Sequence, residues 1–195
     1  MKIFFITSNA SKVQLANERL NRYEIEVVQH KADLIEPQVF DVEAVAAEKA
    51  KQLLGIVKTP FVVEDSGMYI ERLRGFPGAL MKPVLDTIGD SGLIKLMSGE
   101  TNRNALVKSA LAYCNPEKNL IKTFTGNFKG SISESLRGDA TRGWMVARIF
   151  VPAGETKTLA EMDDAEWQRH LDDSRKDDHY EKLGKWLKSN SQDLV

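Results

Sequence analysis

Residues 2–20, KIFFITSNASKVQLANERL, place an apolar run of aromatic and β-branched residues directly before a polar break and then a helical pattern. The run predicts a strand, and Val13, Leu15, Ala16 and Leu20 recur at close to helical intervals after it. A chain leaving a sheet for a helix needs a turn and one capping residue. Here the junction holds Thr7, Ser8, Asn9 and Ser11, followed by Lys12. Backbone N–H groups at a helix N-terminus attract anions, hydroxyl and amide groups bond phosphate oxygens, and a lysine adds a compact positive charge. The logic is that of a phosphate-binding loop, without the glycines of the Walker type. A plain helix cap followed by a solvated lysine accounts for the same residues equally well.

Working outward, EIEVVQH (24–30) predicts a second strand, and DVEAVAAEKAKQLL (41–54) a helix with Val42, Val45, Ala46, Lys49 and Leu53 near one face. FVVEDSGMYIE (61–71) reads as a buried strand ending in acidic residues. Strands alternating with helices favour an α/β sheet with helices packed on it. Beyond a glycine-proline turn, RGFPGA (74–79), the segment SGLIKLMSG (91–99) predicts a short helix stopped by glycine. NALVKSALAYC (104–114) and LIKTFTGNFKGSIS (120–133) predict strands joined by a short connection, hence antiparallel. The charged C-terminal stretch is helical, with Leu171, Leu183, Trp186 and Leu187 available for packing. The expectation is one domain over residues 1–195, built as two lobes around a groove.

Composition narrows the function classes. With 27 basic and 28 acidic residues in 195, no global field marks a binder of nucleic-acid polymers or membrane surfaces, so an anionic ligand must be held locally. Cys114 is the sole cysteine, which excludes an internal disulfide and a cysteine-rich metal site and suits a reducing compartment such as the cytoplasm. No segment reaches the ~20 apolar residues of a membrane span.

Glu64, Asp65 and Ser66 are the second candidate cluster. Ligands gather at carboxyl ends of strands in open α/β sheets, and adjacent carboxylates there suit Mg²⁺. Glu36 lies in a loop before a proline and is ambiguous, and Lys49 by local pattern belongs to a solvated helix face. Lys82, soon after the glycine-proline turn, offers another positive charge, although a plain turn explains that segment better. His30, His170 and His179 match no metal spacing and read as surface or satisfied packing residues. Trp144, Trp167 and Trp186 read first as core anchors.

Taken together and in order, ITSNASK (6–12), VEDSGMYIERLRGFPG (63–78), FTGNFKGSIS (124–133) and IFVPAGETKTLAEM (149–162) resemble the inosine triphosphate pyrophosphatase family. That resemblance implies an elongated mixed α/β sheet with two lobes flanking a central substrate cleft, and a homodimer. It also implies Mg²⁺-dependent hydrolysis of a non-canonical purine nucleoside triphosphate (ITP, dITP or XTP) to the monophosphate and pyrophosphate. On that resemblance Thr7, Asn9 and Lys12 match the triphosphate loop, with Ser8 and Ser11 beside them as further substrate-binding candidates. Glu36 matches a metal-associated acid, Lys49 and Ser66 match substrate positions, and Lys82 a basic position of some members that is a further substrate-binding candidate. Asp65 matches the acid assigned to metal binding and water activation, with Glu64 beside it; which of the two is the base stays open.

The chain departs from the family where the base is read. The family's FGYDP or FGWDP segment is RGWMVARIF here (142–150): Gly143 and Trp144 match, while Met145 replaces the acid and the proline is absent. Trp167 stands near a family lysine, and only Ser174 and Arg175 echo the family's SHR motif. Selectivity rests on polar groups against the base edge, so their loss implies an altered or relaxed preference. A nucleotide-binding regulatory protein with weak turnover is the second hypothesis, and a new pocket from Arg142, Trp144 and Arg148 the third.

Overall fold

The computed structural model describes residues 1–139 and 145–190. It is a mixed α/β fold in which seven strands, β1 (Lys2–Ile6), β2 (Glu26–His30), β3 (Phe61–Ile70), β4 (Pro77–Gly78), β5 (Asn104–Asn115), β6 (Leu120–Ile132) and β7 (Phe150–Pro152), form one sheet. Their hydrogen-bonded order is β2-β1-β3-β5-β6-β7, with β4 beside β3. The helices are α1 (Ala10–Leu20), α2 (Val42–Gln52), α3 (Met81–Thr87), α4 (Gly89–Leu96), α5 (Asp164–Ser174) and α6 (His179–Ser189). The chain divides into two compact units, the first comprising Met1–Asp65, Ser109–Gly126 and the segment from Arg175, the second Ser66–Lys108 and Asn127–Ser174.

In the first unit β1 pairs in parallel with β2, Ile3 opposite Val27, and with β3, Phe4 opposite Phe61. The crossover through α1 is what a parallel pair requires. Alternation along β1 buries Ile3 and Phe5 on one face, where they meet Ala16 and Leu20 of α1 and Tyr180, Leu183 and Leu187 of α6. Each fully buried Leu or Phe contributes roughly 1.5–3 kcal/mol, so α6 is held chiefly by this stripe. Phe61, Val62 and Val63 are all buried, as a strand covered on both faces demands.

Contacts at both ends set how α6 lies. Its cap Asp178 accepts from the Tyr180 and Glu181 N–H groups at 2.5 and 3.2 Å, and its other oxygen meets Arg19 Nε at 3.2 Å. Glu181, buried in the first turn, accepts from Arg22 and from the Tyr23 hydroxyl. Further along, Trp186 packs against Tyr113 and Phe124 at 5.6 and 5.7 Å between ring centroids. Gly184 lets the helix come this close, because a Cβ there would lie 2.3 Å from the Tyr23 ring. Gly184→Ala is therefore expected to destabilise the protein by about 1–3 kcal/mol, the usual cost of overpacking, read as a lower denaturant midpoint at unchanged m-value.

The second unit has its own core of Met68, Ile70, Leu93, Met97, Val107, Ile132, Ile149, Phe150 and Leu159. β4 pairs antiparallel with β3, and β7 with β6. Gly67 is required because a Cβ there would meet the Gly78 carbonyl oxygen at 2.4 Å. β3 corrects one sequence expectation. Glu64 and Asp65 lie inside the strand rather than at its end, since the alternation continues through fully buried Met68 and Ile70.

Candidate functional site

The site is assembled within the first unit from the β1–α1 loop, α2, the first half of β3 and the start of α6. The loop uses two of its polar residues on itself. Thr7 Oγ1 accepts from the Asn9 N–H at 3.1 Å, and Asn9, the cap of α1, accepts from the Ser11 N–H at 2.9 Å. Capping accounts for Thr7 and Asn9 and leaves Ser8, Ser11 and Lys12 unexplained by the turn. Ser8 and Ser11 are exposed.

Neighbouring side chains on a strand point to opposite faces, so Glu64 and Asp65 have different environments. Glu64 faces α1 and α6: its Oε1 lies 3.1 Å from Lys12 Nζ, and its Oε2 accepts from the Tyr180 hydroxyl. His179 Nε2 lies 3.5 Å from the same Oε2, beyond a good hydrogen bond. Asp65 faces α2, where its Oδ1 accepts from Lys49 Nζ at 3.0 Å. Lys49 also bonds to Glu36, so its ammonium sits between the two carboxylates. The Lys49 side chain is only 12 % exposed, which corrects the local expectation of a solvated position; Glu36 is 64 % exposed. Asp65 Oδ2 is buried and without a hydrogen-bond partner among the described residues.

This geometry separates the two acids. Burial by itself would raise the Glu64 carboxyl, but Lys12, with His179 and Tyr180, outweighs it and holds Glu64 far below the usual carboxylate range. Burial raises Asp65 above its ordinary value, and Lys49 offsets only part of that. Burial disfavours the Lys49 charge, yet Asp65 and Glu36 together raise its pKa, keeping it cationic. Burial and the Glu64 charge push the Tyr180 phenol well up, so it stays protonated and donates. Paired carboxylates whose environments drive them apart take different roles: Glu64 is a fixed anion, and Asp65 is the one able to gain a proton.

The remaining candidates are placed as follows. Ser66 follows Asp65 in β3 on the alternate face. Lys82, on α3 of the second unit, is exposed and pairs with Asp86 at 2.5 Å. Arg175 opens the 3-10 turn leading to α6, and the Ser174 hydroxyl donates to the Leu171 carbonyl at 2.8 Å. Gly143, Trp144 and Arg142 lie outside the described residues, while Arg148 pairs with Asp90 at 3.7 Å. Trp167 packs against the second unit's core and stacks on His170.

Sequence reasoning missed Tyr180, His179, Asp178 and Arg19. His179 is neither on the surface nor satisfied: it is buried, and both ring nitrogens lack hydrogen-bond partners among the described residues. The available signal was Asp178 three residues before Glu181, a helix-start pattern that puts Tyr180 in a first turn.

The residues present fit a Mg²⁺ ion that arrives with a phosphate ligand. No cluster of three or more His, Cys, Asp or Glu side chains able to hold a metal exists among the described residues. Asp65 Oδ2 is an orphaned hard oxygen donor with the Glu36 carboxylate across Lys49, and Mg²⁺ commonly takes one or two carboxylates plus substrate phosphates.

A sheet strand delivering two acids to two lysines beside a polar helix N-terminus is an arrangement that could hold a polyanion beside a proton acceptor. Residues 3–174 match the Ham1 family, and the chain belongs to that family. It is 39 % identical over 190 residues to the dITP/XTP pyrophosphatase of Methanopyrus kandleri, covering 97 % of this chain and 98 % of that protein. It is 43 % identical over 162 residues to the dITP/XTP pyrophosphatase of Pyrococcus horikoshii, covering 83 % of this chain and 85 % of the relative. Among solved structures, the nucleoside-triphosphatase / dITP/XTP pyrophosphatase of Mycobacterium abscessus superposes with a TM-score of 0.75 at 26 % identity, covering 90 % of this chain and 96 % of that one. The resemblance drawn from the four sequence segments is thereby borne out.

Proposed function

We propose that this protein hydrolyses a non-canonical purine nucleoside triphosphate such as dITP, ITP or XTP to the monophosphate and pyrophosphate, with Mg²⁺. One observation carries the reading: two adjacent acids are each matched to a lysine, while Asp65 keeps a buried oxygen unpaired. The near-full-length relatives named dITP/XTP pyrophosphatase support it.

In this reading the α1 N-terminus, Ser8, Ser11 and Lys12 bind the phosphates. A water beside Asp65 attacks the α-phosphorus and gives its proton to the Asp65 carboxylate, while the bond from the α-phosphorus to the bridging oxygen breaks and pyrophosphate leaves. Lys12 and Lys49 neutralise the charge gathering on the leaving group. Glu64 stays ionised and orients Lys12. Glu36 and Asp65, together with the phosphates, would hold Mg²⁺, which would supply charge neutralisation at the phosphoryl oxygens.

Lys12→Ala is expected to raise KM for the nucleotide roughly 10–100-fold, the worth of a charge-assisted hydrogen bond, and also to lower kcat, because the same charge offsets that gathering on the leaving group. Steady-state kinetics check this, and unchanged constants would remove the loop from the site. The same reading carries the expectation of a homodimer, which sedimentation equilibrium tests. Replacement of the base-segment acid by Met145 favours an altered base preference as the second reading, and a nucleotide panel separates the two.

A further inference from the structure

Tyr180 is a buried phenol for which the proposed chemistry has no direct use. Its ring fills core space edge-on to Phe5 at 6.4 Å, a task phenylalanine performs equally well, so its hydroxyl needs a separate explanation. That hydroxyl donates to Glu64 Oε2, while Glu64 Oε1 meets Lys12 Nζ at 3.1 Å. We infer that Tyr180 is a positioning residue for Lys12: by holding one oxygen of Glu64, it fixes the carboxylate so that only the other oxygen draws on the ammonium. This rests on the proposed triphosphate site.

An ammonium has three donors, and one spent on Oε1 leaves two for a ligand. The Lys12 side chain remains 30 % exposed, consistent with an ammonium still reachable from solvent. Without the hydroxyl, Oε2 also competes for Lys12 and draws the ammonium toward the buried carboxylate. The brace is stiff because α6 is capped by Asp178 and tied through Glu181 to Arg22 and Tyr23. His179, its ring centroid 4.2 Å from that of Tyr180, places its Nε2 3.5 Å from the same Oε2.

The test is a double-mutant cycle read by the affinity for inorganic tripolyphosphate, measured by calorimetry on the full chain. Tyr180→Phe is expected to weaken binding about tenfold, Lys12→Ala to weaken it further, and the double variant to match Lys12→Ala alone. Glu64→Gln offers a second probe of the same relay, with the same expectation of no added loss in the Lys12→Ala background. A purely structural role for Tyr180 would give losses that add in both backgrounds. Additive losses, wild-type affinity in Tyr180→Phe, or a wild-type protein that does not bind tripolyphosphate would each overturn the inference. Wild-type protein that shows the expected cycle yet releases pyrophosphate from no nucleotide supports the positioning role and overturns only the hydrolytic reading.

Discussion

Asp65→Asn is expected to lower kcat by about 10²–10⁴-fold, the usual contribution of a positioned proton acceptor, with circular dichroism unchanged. The amide has the same shape but accepts no proton from an attacking water. The fold should tolerate it, because burial already disfavours the Asp65 charge and Lys49 keeps Glu36 as a partner. Pyrophosphate release measured under saturating nucleotide and Mg²⁺ is the check. A rate within a few-fold of the wild type would remove Asp65 as the base and leave the unpaired Oδ2 without a function. Glu64→Gln should act differently, through KM, since Glu64 serves the reaction only through Lys12.

The second large effect is on stability. Asp178→Ala is expected to cost about 3–5 kcal/mol, because it leaves Arg19 buried without its Asp178 partner. Both side chains are nearly inaccessible, 3 % and 4 % exposed, so water cannot readily replace the lost carboxylate. About 1 kcal/mol of the loss is the helix cap itself. Asp178→Asn, which retains a cap acceptor and loses the charge, should recover that smaller part. Urea unfolding followed by tryptophan fluorescence distinguishes them, and a cost below about 1 kcal/mol for the alanine variant would show that the pair contributes nothing beyond the cap.

How much of this was legible in the sequence depends on whether a local pattern carried the information. β1, α1, β2 and α2 announce themselves by periodicity, and the junction at Thr7–Lys12 holds more polar groups than a turn uses. Glu64 and Asp65 were recognisable as a pair, but their separate roles were not, because those depend on which face of β3 each occupies and on what the helices bring there. Lys49 looked like surface because only its helix was visible; its burial comes from β3 and the loop at Glu36 meeting it from distant parts of the chain. Tyr180 and His179 were missed for the same reason, Tyr180 lying 116 residues from its partner Glu64 and His179 next to it in the chain. The end of β3 was misplaced because two adjacent acids look like a boundary, and only packing shows that the strand runs on to Ile70.

The most direct test of the central claim is pyrophosphate release by the wild-type protein across ITP, dITP, XTP, the common nucleoside and deoxynucleoside triphosphates and several modified triphosphates, with Mg²⁺ and again with excess chelator. The account predicts Mg²⁺-dependent release of pyrophosphate and the matching monophosphate, fastest with dITP, ITP or XTP. Strong turnover of a different nucleotide would keep the phosphate chemistry and move the specificity. Measurable nucleotide binding with no release from any member of the panel would contradict the hydrolytic reading and leave a nucleotide-binding protein.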